Sequence, residues 1–373
     1  MLPADRLAAA FEGGKSDAMP WFADLTYWCS SHKAMGTLPS KYEGEGRINL
    51  YKDLGCGAHE ELYGGVAKFE HTLVKTSVHE VPEPDGGRTT HTVYRTPLGE
   101  LRKVDRSSMV SYSKATMEYP VKSEEDLKIL RYILKDLKVK SDEEAYEHQN
   151  ELMRAWEGWG IVSSLPPRTP VSRLIVEWAG FANVVKLQWR SREEFDETVQ
   201  VMSEVDDPIY EAIEESPARF VYFGENLSSE LISPTMFRTY HDPYYRRRAS
   251  QLHASDKVIY VHIDGSLRGL LPLLGPTGVD CAQSLTPAPF GDVAVRDFRE
   301  LAGEEIVLWG GLPGVLFSEE YPFEMLEQTL KDVIECYLTE SKFIIGVADQ
   351  VPPDGEIDRV KMVTGIVESR ARR

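Results

Sequence analysis

The feature that most restricts the fold is a rhythm that sets in near residue 160. Short runs of β-formers, each closed by polar residues, alternate with stretches of helical spacing. The candidate strands are "GIVSSL" (160–165), "RFVYFGENL" (219–227), "KVIYVHIDG" (257–265), "GVDCAQSL" (278–285), "EIVLWGGL" (305–312) and "FIIGVADQ" (343–350). "MPWFADLTYW" (19–28) is an earlier one. Between them lie helical segments such as "SREEFDETVQVMSEVDDPIYEAIEE" and "PFEMLEQTLKDVIECYLTES". Short strands joined by helices specify a parallel sheet with right-handed crossovers.

Such a sheet can be open or closed. No glycine-rich dinucleotide fingerprint follows a strand and no Walker-type loop occurs, so the usual ligands of open sheets lack their cradle. Polar residues stand at the C-terminal end of nearly every strand: Asp24, Ser164, Glu225, His262 with Asp264, Gln283 with Ser284, and Asp349. In a (β/α)8 barrel those ends converge on one mouth, where the active site lies. The expectation is therefore an α/β chain, a TIM barrel over residues 1–373 as a single domain. It carries an insertion at about 66–105, where β-formers alternate with polar residues around the turn "PEPDGG" as an antiparallel hairpin or meander. After it, "SEEDLKILRYILKDL" reads as a helix capped by Ser123.

Composition removes several function classes. The 373 residues are 42% hydrophobic and 27% charged, the profile of a soluble globular protein. No apolar run reaches the roughly 20 residues that cross a bilayer, and the N-terminus lacks the basic-then-apolar pattern of a secretion signal. The expectation is a cytoplasmic protein with no membrane partner. A net charge of -18 argues against nucleic acid, which needs clustered Lys and Arg to displace counterions. The one basic cluster, Arg246, Arg247 and Arg248, reads as a solvated helix face. Cys29, Cys56, Cys281 and Cys336 are scattered without a CxxC pair and read as small core residues.

The chemistry gathers around "VHIDG". Residues i and i+2 of a strand share a face, so His262 and Asp264 point to one place. Taken singly, a satisfied core histidine and a turn-forming aspartate before Gly265 explain them. Together with Glu225 and Asp349 they form a set able to hold zinc or to perform acid and base steps. Asn226 follows Glu225 at the same strand end. His241, in a helix beginning at "SP", either leans over the mouth or is a surface histidine. His32, His59, His71, His79, His91, His148 and His253 carry no spacing signal. Tyr27 and Trp28 follow the first strand and Arg168 follows another. Such a lining suits a flat aromatic substrate with a polar group, although core packing accounts for tryptophans equally well.

The ordered segments "DRLAAAF" to "MPWF", "YRTPLGEL", "YPVKSEEDLKIL", "GENLSSELISPTMFRTYHDPYYRRR", "VIYVHIDG", "GVDCAQSLTP" and "FIIGVADQVPPDGEIDRVKMV" resemble the uroporphyrinogen decarboxylase superfamily along almost the whole chain. That superfamily contains porphyrinogen decarboxylases and zinc methyltransferases that serve corrinoid proteins. The decarboxylases carry an arginine-rich stretch after the first strand. The corresponding "ADLTYWCSSHKAMG" has no arginine, which argues against heme biosynthesis. Thiol-methylating members hold zinc through His-x-Cys and a later Cys. Here Asp264 replaces the first cysteine and Asp349 falls near the second.

The resemblance therefore implies the ether-cleaving branch. These enzymes move a methyl group from a small methylated, methoxylated aromatic substrate to the cob(I)alamin of a partner corrinoid protein. It implies zinc held among Glu225, His241, His262, Asp264 and Asp349. Glu225, His262 and Asp264 would be catalytic, and Asp24, Tyr27, Trp28, Arg168, Asn226 and Gln283 would bind substrate. The chain would be a monomer or homodimer. Three alternatives stay open: a metal-independent decarboxylase or lyase of a small or aromatic acid, transfer from a methylcorrinoid to a thiol or tetrahydrofolate, and a barrel that only binds a tetrapyrrole or corrinoid protein.

Overall fold

The protein is described by a computed structural model covering residues 1–62, 65–109 and 112–372. The chain divides into two compact units: residues 1–65, 144–165 and 216–373 form one, and residues 66–143 and 166–215 form the other.

The first unit is the expected barrel. Its strands are β1 (Trp21–Phe22), β2 (Ala58–Leu62), β3 (Gly160–Ser164), β4 (Phe220–Leu227), β5 (Val258–Ile263), β6 (Cys281–Leu285), β7 (Val307–Pro313) and β8 (Phe343–Ala348). Neighbours pair in parallel in the order β1-β8-β7-β6-β5-β4-β3-β2. Phe22 bridges Gly57 just before β2, bringing the two ends of the sheet together. Helices follow the strands, among them Asp242–His253 after β4 and Phe323–Tyr337 after β7.

Large rings fill the interior. Phe22, Ile161, Tyr222, Tyr260, Cys281, Val307, Trp309 and Ile344 form one buried cluster, with Leu7 and Ala10 of helix Pro3–Phe11 packed onto it. Tyr222 stacks on Tyr260 at 4.7 Å, and Tyr260 on Trp309 at 5.6 Å. Room for Trp309 depends on Gly346, where an added Cβ would stand 2.5 Å from the indole ring.

Three strand assignments shift. The segment 19–28 contributes only two strand residues; Thr26–Met35 is a helix, so Tyr27 and Trp28 are helical. The strand in 278–285 begins at Cys281. β2 was not expected, because "AHEEL" offers two glutamates to a conformation that disfavours them. Helix periodicity also divides the arginine cluster: Arg246 is exposed and pairs with Asp242, whereas Arg248 is buried over the Tyr244 ring.

The second unit contains the meander. Strands 75–82, 88–96, 99–107 and 114–118 form an antiparallel sheet, and Ala67–His71 pairs with Leu137–Ser141. Helix Glu124–Lys135 starts on the expected cap, with Ser123 Oγ accepting from the Asp126 amide at 3.2 Å and the Asp126 carboxylate accepting from the Ser123 amide at 2.9 Å. Arg131 on that helix pairs with Glu194. Among the described residues no helix is long and apolar enough to cross a membrane.

Candidate active site at the barrel mouth

Two histidine–carboxylate groups stand at the C-terminal ends of the barrel strands. The first is the expected one. His262 ends β5 and is 5% exposed. Its Nδ1 lies 2.8 Å from Gln283 Oε1 and 2.9 Å from the Tyr222 hydroxyl. With the Nδ1 proton held by these two oxygens, Nε2 is left for the mouth. Nε2 is buried and has no hydrogen-bond partner among the described residues. Asp264 Oδ2 lies 3.8 Å from it and Asp349 Oδ1 3.9 Å. Burial alone would lower the imidazole pKa, but Asp264, then Asp349 and Gln283, outweigh it and raise the value. Tyr222, buried near the charges of Glu61, Asp24 and Asp349, has its phenol pKa pushed far up, so it remains a neutral hydroxyl.

Backbone irregularity aims these groups. The β4–β5 register shifts between Phe223 and Leu227, and the β6–β7 register between Gln283 and Leu285. Asn226, Ser284 and Asp349 take left-handed φ values of 53°, 76° and 65°. Bulges and strained residues at barrel rims re-aim side chains at functional sites. Opposite Leu285, Gly310 is required: at its φ of 150° a Cβ would meet the Leu285 amide nitrogen at 2.5 Å.

Of the second group only Asp24 was expected; His59 and Glu61 were missed in the sequence. His59 and Glu61 of β2 share the inner face, as i and i+2 must. The His59 ring meets Tyr222, Tyr260 and Trp309 edge-on at 5.9, 6.3 and 5.3 Å. Its Nε2 lies 3.4 Å from Asp24 Oδ2 and its Nδ1 3.5 Å from Glu61 Oε1. Asp24 is fixed in turn: its Oδ1 accepts from the Thr26 amide at 2.8 Å and its Oδ2 from Gln350 Nε2 at 3.1 Å. Burial would raise the Asp24 pKa, but His59 and Thr26 pull it down. Burial would lower that of His59, yet Asp24, Glu61 and Glu60 raise it. Glu60 alternates to the other face and pairs with Arg47. The signal that could have found this group is the His-x-Glu spacing of "AHEEL", the same pattern as His262-x-Asp264.

The remaining expected residues disperse. Gln283 is 1% exposed and orients His262. Asn226 is exposed at its strand end. Glu225 is buried within the irregular stretch of β4. His241 is fully buried on a π-helical turn and stacks on Phe237 at 5.5 Å. Through Tyr245 this aromatic group meets Phe223, the strand neighbour of Tyr222 that faces the opposite way. Burial pushes the His241 pKa down to about 4, so its imidazole is neutral.

The five-residue zinc set is therefore not gathered at one point. Among the described residues no three His, Cys, Asp or Glu side chains are spaced to hold a metal ion. Trp28, expected at the substrate, is a packing residue: its Nε1–H donates to the Gly355 carbonyl at 3.0 Å and its ring lies 4.1 Å from that of His32. Tyr27 is half-buried in the same helix. Arg168 belongs to the second unit, where it lies 3.4 Å from Glu177.

No curated protein matches the chain. Among solved structures, a methyltransferase from Methanosarcina mazei is 12% identical with a TM-score of 0.63, over 99% of this chain and 98% of that one. A D-psicose 3-epimerase solved in the presence of D-fructose is 7% identical with a TM-score of 0.35, over 60% of this chain and 82% of that one. The first likeness is one of fold. The model of the family described as uroporphyrinogen decarboxylase (URO-D) matches residues 161–370. That span is more than half of the chain and runs from β3 to the end of the last helix, Ile357–Arg370. The chain belongs to the uroporphyrinogen decarboxylase family.

Proposed function

We propose that the barrel moves a methyl group from a small methylated donor, of the methoxylated aromatic type, to the corrinoid of a partner protein. The observation that carries this reading is the state of His262. Its Nδ1 is fixed by Gln283 and Tyr222, while the buried Nε2 faces Asp264 and Asp349 without a hydrogen-bond partner among the described residues. An imidazole held at one nitrogen and open at the other beside two carboxylates has the donor chemistry of a divalent-metal site. The methyltransferase fold likeness over both chains agrees with it.

His262, with Asp264 and Asp349, would hold the metal only once the two carboxylates, 3.8 and 3.9 Å from Nε2 and not spaced to ligate as they stand, had closed in around it. A divalent ion there supplies Lewis acidity toward the heteroatom that loses the methyl group. Gln283 and Tyr222 keep the imidazole plane and tautomer fixed. The Tyr222, Tyr260 and Trp309 stack closes the barrel below the site, so an aromatic donor rests on an apolar floor and water is kept from beneath it.

The test is metal content followed by single-turnover transfer from methoxylated aromatics to free cob(I)alamin. The expected result is about one divalent ion per chain, lost with the activity in His262→Ala. Full activity after chelation would overturn the metal assignment, and no transfer from any such donor would overturn the reaction. A metal-independent decarboxylation of a small acid is favoured by one observation, the two imidazoles that carboxylates hold toward the charged form. Loss of CO2 from the substrate with chelated protein would select it.

A further inference from the structure

We infer that Asp24, His59 and Glu61 form a proton relay that protonates the donor heteroatom as the methyl group leaves. The inference rests on the methyl-transfer reading and deepens it by giving the leaving group its acid. Alkoxide and phenolate are poor groups to expel, and a positioned acid removes much of that cost. The geometry is that of an acid held at one nitrogen. Asp24, fixed by Thr26 and Gln350, lies at His59 Nε2, while buried Nδ1 has no hydrogen-bond partner among the described residues and lies 3.5 Å from Glu61 Oε1. Glu61 stands on the same face one strand repeat nearer the mouth. The rings of His59 and His262 both lie against that of Tyr222, at 5.9 and 6.3 Å. The acid and the proposed metal ligands are thus neighbours through one tyrosine, with no residue shared between their tasks.

In the transfer the bond between methyl carbon and oxygen breaks, and its electron pair stays on oxygen. The methyl carbon bonds to the partner's cobalt(I) through the metal's electron pair, taking cobalt to cobalt(III). His59 Nδ1 passes its proton to the Glu61 carboxylate, which hands it on to the oxygen, and solvent restores His59. The groups on either face of the strand around His59 agree with a resident proton. Asp24, Glu61 and Glu60 are acidic, Tyr222 and Tyr260 are phenols kept neutral by burial, and Trp309 does not titrate.

Two measurements separate the relay from the reaction. In nitrogen-15 histidine spectra of the full chain, the His59 ring is identified by its loss in His59→Gln. It is expected to titrate above the ordinary midpoint of about 6.5, and Asp24→Asn should bring it down. A midpoint at or below the ordinary one overturns the relay whatever the protein catalyses. In single-turnover transfer to cob(I)alamin, 2-methoxyphenol needs a proton on its leaving oxygen far more than 4-nitroanisole does. Glu61→Gln and His59→Gln are each expected to slow the first donor by about 100-fold or more and the second at least 10-fold less severely. Equal losses with both donors overturn the relay while leaving methyl transfer intact. Absence of transfer by the unaltered protein from either donor overturns both.

Discussion

At the scale of single residues, the mouth is a set of charges whose values depend on one another. The Asp24–His59 pair gives this a measurable sign. His59 is raised in the folded state, so its contribution to stability is complete below about pH 6.5 and is lost as pH climbs through its folded value. Asp24 is lowered, so its contribution is complete above the ordinary carboxylate range and is lost only as acid passes its folded value. Urea unfolding of Asp24→Asn should therefore show a deficit of about 2 kcal/mol near pH 6, shrinking by pH 9. An equal deficit at both pH values would refute the charged pair. His262 and Asp264 were legible because a run of β-formers ended on them. His59 was not, because glutamates disguise its strand. Trp28 and Arg168 misled for a different reason: sequence places a residue after a strand, but only packing decides whether it turns toward the mouth, the Gly355 carbonyl or Glu177.

At the scale of elements, apolar β-former runs made six of the eight strands legible to within a few residues. The short β1 and the polar β2 carried too little hydrophobic pattern to show their extent. The register shifts of β4 and β6 were invisible, since a bulge is one residue out of step and leaves no mark on composition. Their cost shows at the glycines that accommodate them. Gly310→Ala must place a Cβ 2.5 Å from one Leu285 backbone atom and 2.7 Å from another, at a φ that side chains avoid. Backbone cannot yield there as a flexible side chain would, so thermal unfolding should show a loss of at least about 2 kcal/mol. The same change at Gly365, where no atom beyond its own helix backbone and chain neighbours lies within 4 Å of the new Cβ, is the control and should not destabilise.

At the scale of the whole molecule, the charge balance and the strand-and-helix rhythm fixed the class, and the meander was read in place. What could not be read was that residues 166–215 belong with residues 66–143 in a unit of their own. Its surface offers a direct check. Trp189 is 81% exposed, Trp159 and Trp178 are half-buried, and Trp21, Trp28, Trp156 and Trp309 are buried. Iodide should therefore quench mainly Trp189, and Trp189→Phe should remove most of the quenchable fluorescence while changing stability by no more than about 0.5 kcal/mol. The order of segments has a longer reach. The chain leaves the barrel after β2, returns to lay down β3, and leaves again before β4. No single cut releases either unit: one at residue 66 divides the barrel, and one at residue 143 divides both. Such a layout is not what end-to-end fusion of a ready-made domain produces. It is what results when two successive barrel loops lengthen side by side, so relatives with shorter chains should have lost length in both loops together.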